Sequence, residues 1–313
     1  MEIAVPQTKG GEFLLQNTNT ETLYSVEYRS EEAQMIQETV RQFLSNEIFS
    51  RLEVLETPEG MQLTPQLLKQ CGTLGLLGLE VPETLGGSDL SLTNTLHFVE
   101  EMGKSYSFGG AIGLQTSIGI SPIVHYGSSY IKEKYLPHMI TGDLLSAFCL
   151  TEPNAGSDAN SGKTRATMTA EGNYVITGQK AWISNGGLAQ LYIVFAKIED
   201  DKNLSAFVVE KAFGGTTVGA EEQKMGLSGW STTPLFFDKV LVPKENLLGE
   251  RNQGFKIALN TLNTGRIKLG VSALGISKMT ANYAVNYAIA REQFGQSISD
   301  FGAIKEKLAQ YVH

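Results

Sequence analysis

The sequence predicts an α+β protein in which a helical part, a β-rich part and a second helical part follow one another. Helical periodicity dominates residues 1–145, and short β-prone runs separated by Gly, Asn and Asp fill residues 146–250. An apolar helical pattern then returns over residues 251–313. We therefore expect an N-terminal helical domain (1–145), a middle domain built as a β-barrel or β-sandwich (146–250), and the first helices of a C-terminal helical bundle (251–313).

The composition is that of an ordinary folded protein. Of the 313 residues, 42% are hydrophobic and 19% are charged, which allows a substantial core. The formal net charge of −8 argues against a nucleic-acid-binding protein, because such proteins carry a basic excess. Cys71 and Cys149 cannot form a disulfide framework, and the four histidines show no metal-ligand spacing. We expect two buried free cysteines and no metal site.

Two segments bear on the location of the protein. Residues 1–11 lack both the apolar core of a signal peptide and the Arg-rich pattern of a presequence, so we expect a cytoplasmic protein. Residues 105–131 contain no Asp, Glu, Lys or Arg, but five glycines and one proline interrupt them. A membrane span needs about 20 predominantly apolar residues. We interpret this segment as a buried helix, and membrane association is not indicated.

Capping residues mark where the first helices begin. Ser30 and Ser91 each precede an amphipathic run, so that their hydroxyls can accept hydrogen bonds from the first turn. Thr64 is expected to cap a further helix with Pro65 at its first position, and another helix is expected at residues 128–136.

The predicted strands are short runs rich in β-branched and aromatic residues. They lie at residues 164–169, 174–177, 180–184, 191–197, 205–210 and 235–242. A long apolar helix is expected at residues 255–290, followed by a break at residues 295–302. A new helix then places Ile304, Leu308 and Val312 on one face. Because this apolar face reaches the last residues, we expect the sequence to be the N-terminal portion of a longer protein.

Two segments carry the chemistry. Residues 147–158 (AFCLTEPNAGSD) predict a strand that runs into a loop of hydroxyls and backbone amides, which can donate to phosphate or carbonyl oxygens. Residues 178–186 (GQKAWISNG) place Trp182 and Ser184 on one side of a strand, where they could flank a planar heterocycle. Taken alone, Trp182 is better explained as an anchor of a β core, with a Ser-Asn-Gly turn after it.

Together, these segments resemble the two hallmark motifs of the acyl-CoA dehydrogenase family. The resemblance covers nearly the whole chain and includes Lys134-Tyr135-Leu136-Pro137, Val242-Pro243, Asn246-Leu247-Leu248-Gly249 and Arg291-Glu292-Gln293-Phe294-Gly295. Within the family it is closest to the very-long-chain branch. The resemblance implies FAD as cofactor, α,β-dehydrogenation of acyl-CoA in fatty-acid β-oxidation, electron transfer to an electron-transfer flavoprotein, and a homodimer.

The resemblance also implies which residues contact FAD. They are Phe148, Leu150, Thr151, Ser157, Trp182, Ile183, Ser184, Arg291, Gln293 and Phe294. Thr151 would bond the pyrimidine edge of the flavin, Trp182 would pack against its ring system, and Ser184 would bond near its N5. Ser157 would contact the pyrophosphate or the CoA of the substrate. The last three residues of the set would reach the FAD of a neighbouring subunit.

Substrate contacts are implied in the same way. Ser157, Asn263 and Arg266 would serve the CoA portion, while Gly113 and Gly119 would lie on the helix that floors the acyl pocket. The missing side chain at Gly119 favours a longer pocket and therefore a long acyl chain. Close packing of the helix is the alternative explanation, to which glycine is equally suited.

The implied reaction needs a carboxylate that removes the α-proton while the β-hydrogen leaves as hydride. In most relatives this Glu lies beyond the position of His313, and in a minority it directly precedes the arginine matching Arg266, where this chain has Gly265. No catalytic residue is therefore expected within the chain, and Glu152 is expected to be structural. An acyl-CoA oxidase and a non-catalytic assembly factor with the same fold remain alternatives.

Overall fold

The computed structural model describes Leu15 and residues 30–311, so the expectations for residues 1–11 and for Val312 and His313 fall outside the described residues. Seven helices form the first part of the described chain. They are α1 (Glu31–Phe43), α2 (Leu52–Leu55), α3 (Thr64–Thr73), α4 (Leu92–Gly103), α5 (Ser107–Leu114), α6 (Ser121–Tyr126) and α7 (Ser129–Ile140). A π-helical stretch, Gln115–Ile120, joins α5 to α6. The prediction of a buried helix in the charge-free segment is confirmed, because most of its apolar side chains lie in the core.

No helix within residues 30–311 combines the length and the apolar character needed to cross a membrane.

Two of the three predicted helix caps are confirmed. The hydroxyl of Ser30 accepts a hydrogen bond from the backbone N–H of Ala33 at 3.1 Å, and that of Ser91 accepts one from Asn94 at 3.3 Å. The third is wrong, because Thr64 is itself the first residue of α3 and is buried without a capping bond. A 3-10 turn, Gly60–Leu63, runs directly into α3 and leaves no extended capping residue.

The middle part is built from eight strands. They are β1 (Ser146–Cys149), β2 (Arg165–Met168), β3 (Tyr174–Ser184), β4 (Leu191–Ile198), β5 (Ser205–Glu210), β6 (Thr216–Val218), β7 (Thr232–Val242) and β8 (Leu247–Leu248). Their order is β6-β7-β3-β2-β4-β5-β8, with β1 also paired to β4. β1 and β2 run parallel to β4, whereas the other pairs are antiparallel. The two runs predicted at 174–177 and 180–184 form one strand, because β3 continues through two irregularities in its register with β7.

Strand β4 separates two hydrophobic cores. Its side chains alternate between the faces of the sheet. Ile193 and Phe195 pack with the helices of the first part, whereas Tyr192 and Val194 pack against β3 and β7. Cys149 is buried in the second core, and Cys71 lies in the first. The prediction of buried free cysteines is confirmed within the described residues. Because one face of β4 packs with the helices and the other with the β domain, the helices are held against the β domain.

The last part begins with α8 (Gly254–Ala290), whose 37 residues make a helix about 55 Å long. It packs closely along α4, where a Cβ on Gly275 would lie 1.9 Å from the carbonyl oxygen of Glu100. The buried Lys268 of α8 also pairs with Glu80. A hairpin of β9 (Glu292–Gln293) and β10 (Gln296–Ser297) follows, and then α9 (Gly302–Gln310).

Candidate functional site

A buried lysine ties the loop after β1 to the sheet. Lys180 lies on β3 with a fully buried side chain, and its Nζ donates to the Glu152 carboxylate at 2.8 Å. The same ammonium donates to the carbonyl oxygens of Leu150 at 3.2 Å and Phe195 at 2.7 Å. An ammonium has three N–H donors, so this group has all its partners inside the protein. The start of the loop, β3 and β4 are therefore held together at one point.

Glu152 organises the rest of the loop. Its backbone exchanges two hydrogen bonds with Ala155, at 3.1 and 3.0 Å, and its carboxylate accepts the backbone N–H groups of Lys163 at 2.6 Å and Thr164 at 3.1 Å. Burial acts to raise the pKa of this carboxyl, but the charge of Lys180 and these hydrogen bonds outweigh it and hold the pKa below its ordinary value. Glu152 is therefore a charged structural residue and not a free base.

Trp182 projects out of β3 at an irregularity in the strand. The register with β7 shifts between Lys180 and Ile183, and Trp182 has a φ of 54°. A bulky residue with positive φ is uncommon and typically lies at functional sites. The shift leaves Trp182 59% exposed, so the interpretation of this residue as an anchor of the β core is wrong. The backbone N–H of Ala181 donates to the Thr151 carbonyl at 2.9 Å, which places the two motifs side by side.

Two of the residues expected to contact the cofactor are buried instead. Ile183 is 2% exposed and packs in the second core, because its neighbours Trp182 and Ser184 take the opposite face of β3. The side chain of Ile183 therefore faces the core, so that only its backbone can take part in the expected FAD contact. Phe148 is 8% exposed, with its ring centroid 4.8 Å from that of Phe195, and offers little surface to a ligand.

The remaining residues of the two motifs lie where a ligand can reach them. Leu150, Thr151 and Ser184 are half-buried, and Ser157 is exposed on the loop. A Cβ built on the neighbouring Gly156 would meet no atom within 4 Å, so the loop has open space beside it.

The residues expected to reach a second subunit lie in the segment that follows α8, at the start and the tip of the β9–β10 hairpin. Arg291, Gln293 and Phe294 are all exposed. Phe294 forms the tip of the hairpin with Gly295, and both residues have positive φ, 56° and 76°. Such a turn favours Asn-Gly or Gly-Gly. A phenylalanine held there with 95% of its surface exposed is unusual, and within the described residues its ring meets that of Phe301 edge-on, with 6.2 Å between the centroids.

An apolar cavity of about 300 Å³ lies between the helices and the β domain. Helix α4 contributes Phe98 and Met102, α5 contributes Gly113, and α8 contributes Leu262 and Gly265. No Asp or Glu of the described residues lines this space. A cavity of this kind accepts an apolar group and supplies no carboxylate to react with it.

The cavity meets the exposed face of β3 at Ser184, which lines it. Arg266 of α8 lies at the same cavity with its guanidinium exposed, and its Nη1 donates to the Asn263 side chain at 2.8 Å. The structure therefore brings together Ser184, Gly113 and the Arg266–Asn263 pair, with Trp182 two residues away along the strand.

Gly119 does not line this cavity, which corrects the expectation that it lengthens the acyl pocket. A Cβ on Gly119 would lie 2.0 Å from the hydroxyl oxygen of Ser146 on β1. Glycine is needed here because the helix packs closely against the strand. By contrast, a Cβ on Gly113 would meet no atom within 4 Å.

One wall of the cavity is Trp230, which the sequence patterns did not single out. Its indole N–H donates to Asn185 Oδ1 at 3.1 Å, and Asn185 is wholly buried with a φ of 58°. Asn185 could have pointed to this residue, because the side chain of a buried asparagine needs a hydrogen-bond partner.

Comparison with known proteins decides the family. Residues 30–143 match the N-terminal domain of acyl-CoA dehydrogenases, residues 147–240 the middle domain, and residues 252–312 the C-terminal domain. The chain belongs to the acyl-CoA dehydrogenase family. The α+β fold and the family resemblance drawn from the motifs are thus confirmed.

The relatives of this acyl-CoA dehydrogenase family member include bacterial and mitochondrial proteins. A probable acyl-CoA dehydrogenase of Bacillus subtilis is 40% identical over 301 residues, which are 96% of this chain and 50% of the relative. The human very long-chain specific mitochondrial enzyme is 44% identical over 249 residues, or 76% of this chain and 38% of the relative.

Among solved structures, an acyl-CoA dehydrogenase from Bacillus anthracis complexed with FAD superimposes with a TM-score of 0.90 at 43% identity. The match covers 97% of this chain and 52% of that one. The chain therefore spans about half the length of these Bacillus relatives.

Proposed function

We propose that this chain is the FAD-binding and acyl-CoA-binding portion of an acyl-CoA dehydrogenase that converts long-chain acyl-CoA to trans-2-enoyl-CoA in β-oxidation. The observation that carries the proposal is the junction at the end of β3. There Ser184 lines an apolar cavity, and the exposed Trp182 lies two residues before it on the strand. When bound, FAD supplies the acceptor for the hydride. An electron-transfer flavoprotein is the proposed electron acceptor, as the family resemblance implies.

The residues present fit a flavin. Trp182 offers an exposed aromatic face, which favours stacking on a flat heterocycle. Thr151 is fixed beside it by its backbone bond to Ala181, and its hydroxyl and that of Ser184 can bond the polar edge of such a ring. The open space at Gly156 and the exposed Ser157 can hold a phosphate group.

The cavity fits the acyl chain, and Arg266 at its edge fits a phosphate of CoA. A second cavity of about 350 Å³, lined in part by Thr116 and Ile120, shares Phe98 with the first. Because Phe98 lines both cavities, a movement of this one side chain could join them, which supports the proposal of a long acyl chain.

A homodimer is the proposed assembly. Support comes from Phe294 at the hairpin tip and from exposed apolar side chains along α8, among them Leu269, Tyr287 and Ile289. In such a dimer, Arg291, Gln293 and Phe294 would reach the flavin of the other subunit. We also keep the proposed domain boundaries at residues 145 and 250, which the family-domain matches support.

Introducing a carboxylate into the cavity tests the proposed reaction. A Cβ on Gly265 would meet only Ile118 Cγ2, at 3.6 Å, so the cavity has room for a longer side chain there. We expect the FAD-loaded Gly265→Glu variant to lose flavin absorbance anaerobically on addition of palmitoyl-CoA. A general base contributes about 10²–10⁴-fold to such a rate, so the parent chain should react at least about a hundredfold more slowly.

The matched control is Gly265→Gln, which has the same shape without the base. If both variants bind palmitoyl-CoA but neither loses absorbance faster than the parent chain, the proposed placement of the acyl group is wrong.

A further inference from the structure

We propose that Trp230 determines the acyl specificity of this cavity and selects acyl groups that are unbranched near the thioester. The inference rests on the proposed function, because it takes Ser184 as the end of the cavity where the reacting carbons lie. Trp230 and Ser184 line the same cavity, and the indole N–H donates to Asn185, the residue directly after Ser184, so the indole borders that end.

The contacts of the glycines around the cavity show that Trp230 forms its wall with a side chain, whereas at other glycines the backbones pack closely. A Cβ on Gly103 would lie 2.3 Å from the carbonyl oxygen of Ser272, and one on Gly109 would lie 2.6 Å from that of Met102. These two glycines allow close packing of backbones. At Gly110 the atoms met by a Cβ are instead ring carbons of Trp230, Cε3 and Cζ3, both at 2.5 Å. The indole therefore occupies the space that a side chain of α5 would otherwise fill.

The indole is held in place from several sides. Its N–H donates to the buried Asn185, whose own side-chain amide donates to the Ala111 carbonyl of α5 at 3.4 Å. The carbonyl of Trp230 accepts a hydrogen bond from Lys224. The preceding residue, Gly229, lies against the backbone of Leu55, since a Cβ there would fall 1.6 Å from its carbonyl oxygen. The side chain is thus a fixed wall and not a flexible one.

A fixed flat wall discriminates by shape. A straight methylene chain can lie along an indole face, whereas a methyl branch on the α- or β-carbon needs space next to Ser184 that the indole borders. One methylene misplaced in an apolar pocket changes binding about 10- to 200-fold.

Binding measurements on straight and branched ligands test the proposal. We expect the FAD-loaded chain to bind palmitoyl-CoA at least about tenfold more tightly than 2-methylpalmitoyl-CoA, and Trp230→Ala to reduce this ratio to near one. Trp230→Phe, which keeps a smaller ring and loses the bond to Asn185, should fall between them. Leu227→Ala, on the same loop and away from the cavity, should leave the ratio unchanged.

Fluorescence gives a second measurement. The chain has two tryptophans, so Trp182→Phe leaves Trp230 as the sole reporter, and entry of the acyl chain should shift its emission. If the parent chain binds both isomers equally, or if Trp230→Ala and Trp230→Phe both preserve the preference, the inference is wrong while the proposed function stands. If the parent chain binds neither isomer, the proposed function fails with it.

Discussion

Replacing Lys180 with methionine is expected to lower the free energy of unfolding by about 3–5 kcal/mol, the usual effect of leaving a buried charge without its partner. Lys180 is fully buried and donates hydrogen bonds to Glu152 and to two backbone carbonyls. The variant therefore leaves the carboxylate and both carbonyl groups without the ammonium that they bond. Chemical denaturation at pH 7 measures the loss.

Two further variants show whether the loss comes from the ion pair. The double variant Lys180→Met with Glu152→Gln should recover part of the stability, because no uncompensated charge remains. Lys69→Met breaks a pair with Asp143 in which both side chains are well exposed, and it should change stability little. An equal loss in the Lys69 and Lys180 variants would contradict the importance assigned to the buried pair.

The same pair gives a pH dependence. The folded-state pKa of Glu152 is depressed below its ordinary value of about 4.3. Its contribution to stability is therefore fully present above that value and is lost as the pH falls through the lower, folded-state pKa. Glu152→Gln should be less stable than the parent chain at pH 7, with the difference shrinking in acid. Parallel stability curves for the two proteins below pH 5 would rule this out.

Replacing Trp182 with alanine is expected to weaken FAD binding about ten- to a hundredfold. The exposed indole is the one large flat surface that the two motifs present, and stacking of an aromatic side chain on a heterocyclic base contributes about 1–3 kcal/mol. Equilibrium titration of the chain with FAD, followed by flavin fluorescence, gives the dissociation constant. Trp182→Phe keeps a smaller ring and should bind with intermediate affinity.

Phe236 provides the matched control for Trp182. It is also a partly exposed aromatic residue of the β domain, on β7, and its replacement by alanine should leave FAD affinity unchanged. An unaltered dissociation constant in Trp182→Ala, or an equal loss in Phe236→Ala, would remove Trp182 from the proposed site.

The sequence predicted those parts of the fold that depend on local chemistry. The hydroxyls of Ser30 and Ser91 cap helices as expected, and β5 has the predicted bounds. The prediction that Thr64 caps a helix was wrong because residues 60–63 already form a 3-10 turn. That turn depends on the packing of residues 60–63 and not on Thr64 itself. β3 was divided in two because the irregularities at residues 176–178 and 180–183 interrupt the alternation of its buried side chains.

At the site, the sequence predicted which side chains share a face of β3, but it did not predict the contacts between segments that are distant in the sequence. Two residues of separation put Trp182 and Ser184 on one face of β3, but the same alternation buries Ile183. Gly119 is kept out of the cavity by its close contact with Ser146, and Trp230 reaches the cavity because Gly110 leaves space for its ring. The two residues of each pair are far apart in the sequence, so no local pattern predicts these contacts. The homodimer, the electron acceptor and the cytoplasmic location stay predictions.

Absorbance of the purified chain after incubation with excess FAD and gel filtration tests the proposed site most directly. We predict that flavin bands elute with the 34.0 kDa chain in about equimolar amount, and that Trp182→Ala elutes with markedly less flavin. If the folded parent chain elutes without flavin, and all of the flavin emerges in the small-molecule volume, then the surface formed by Thr151, Trp182 and Ser184 is not a flavin site in this chain.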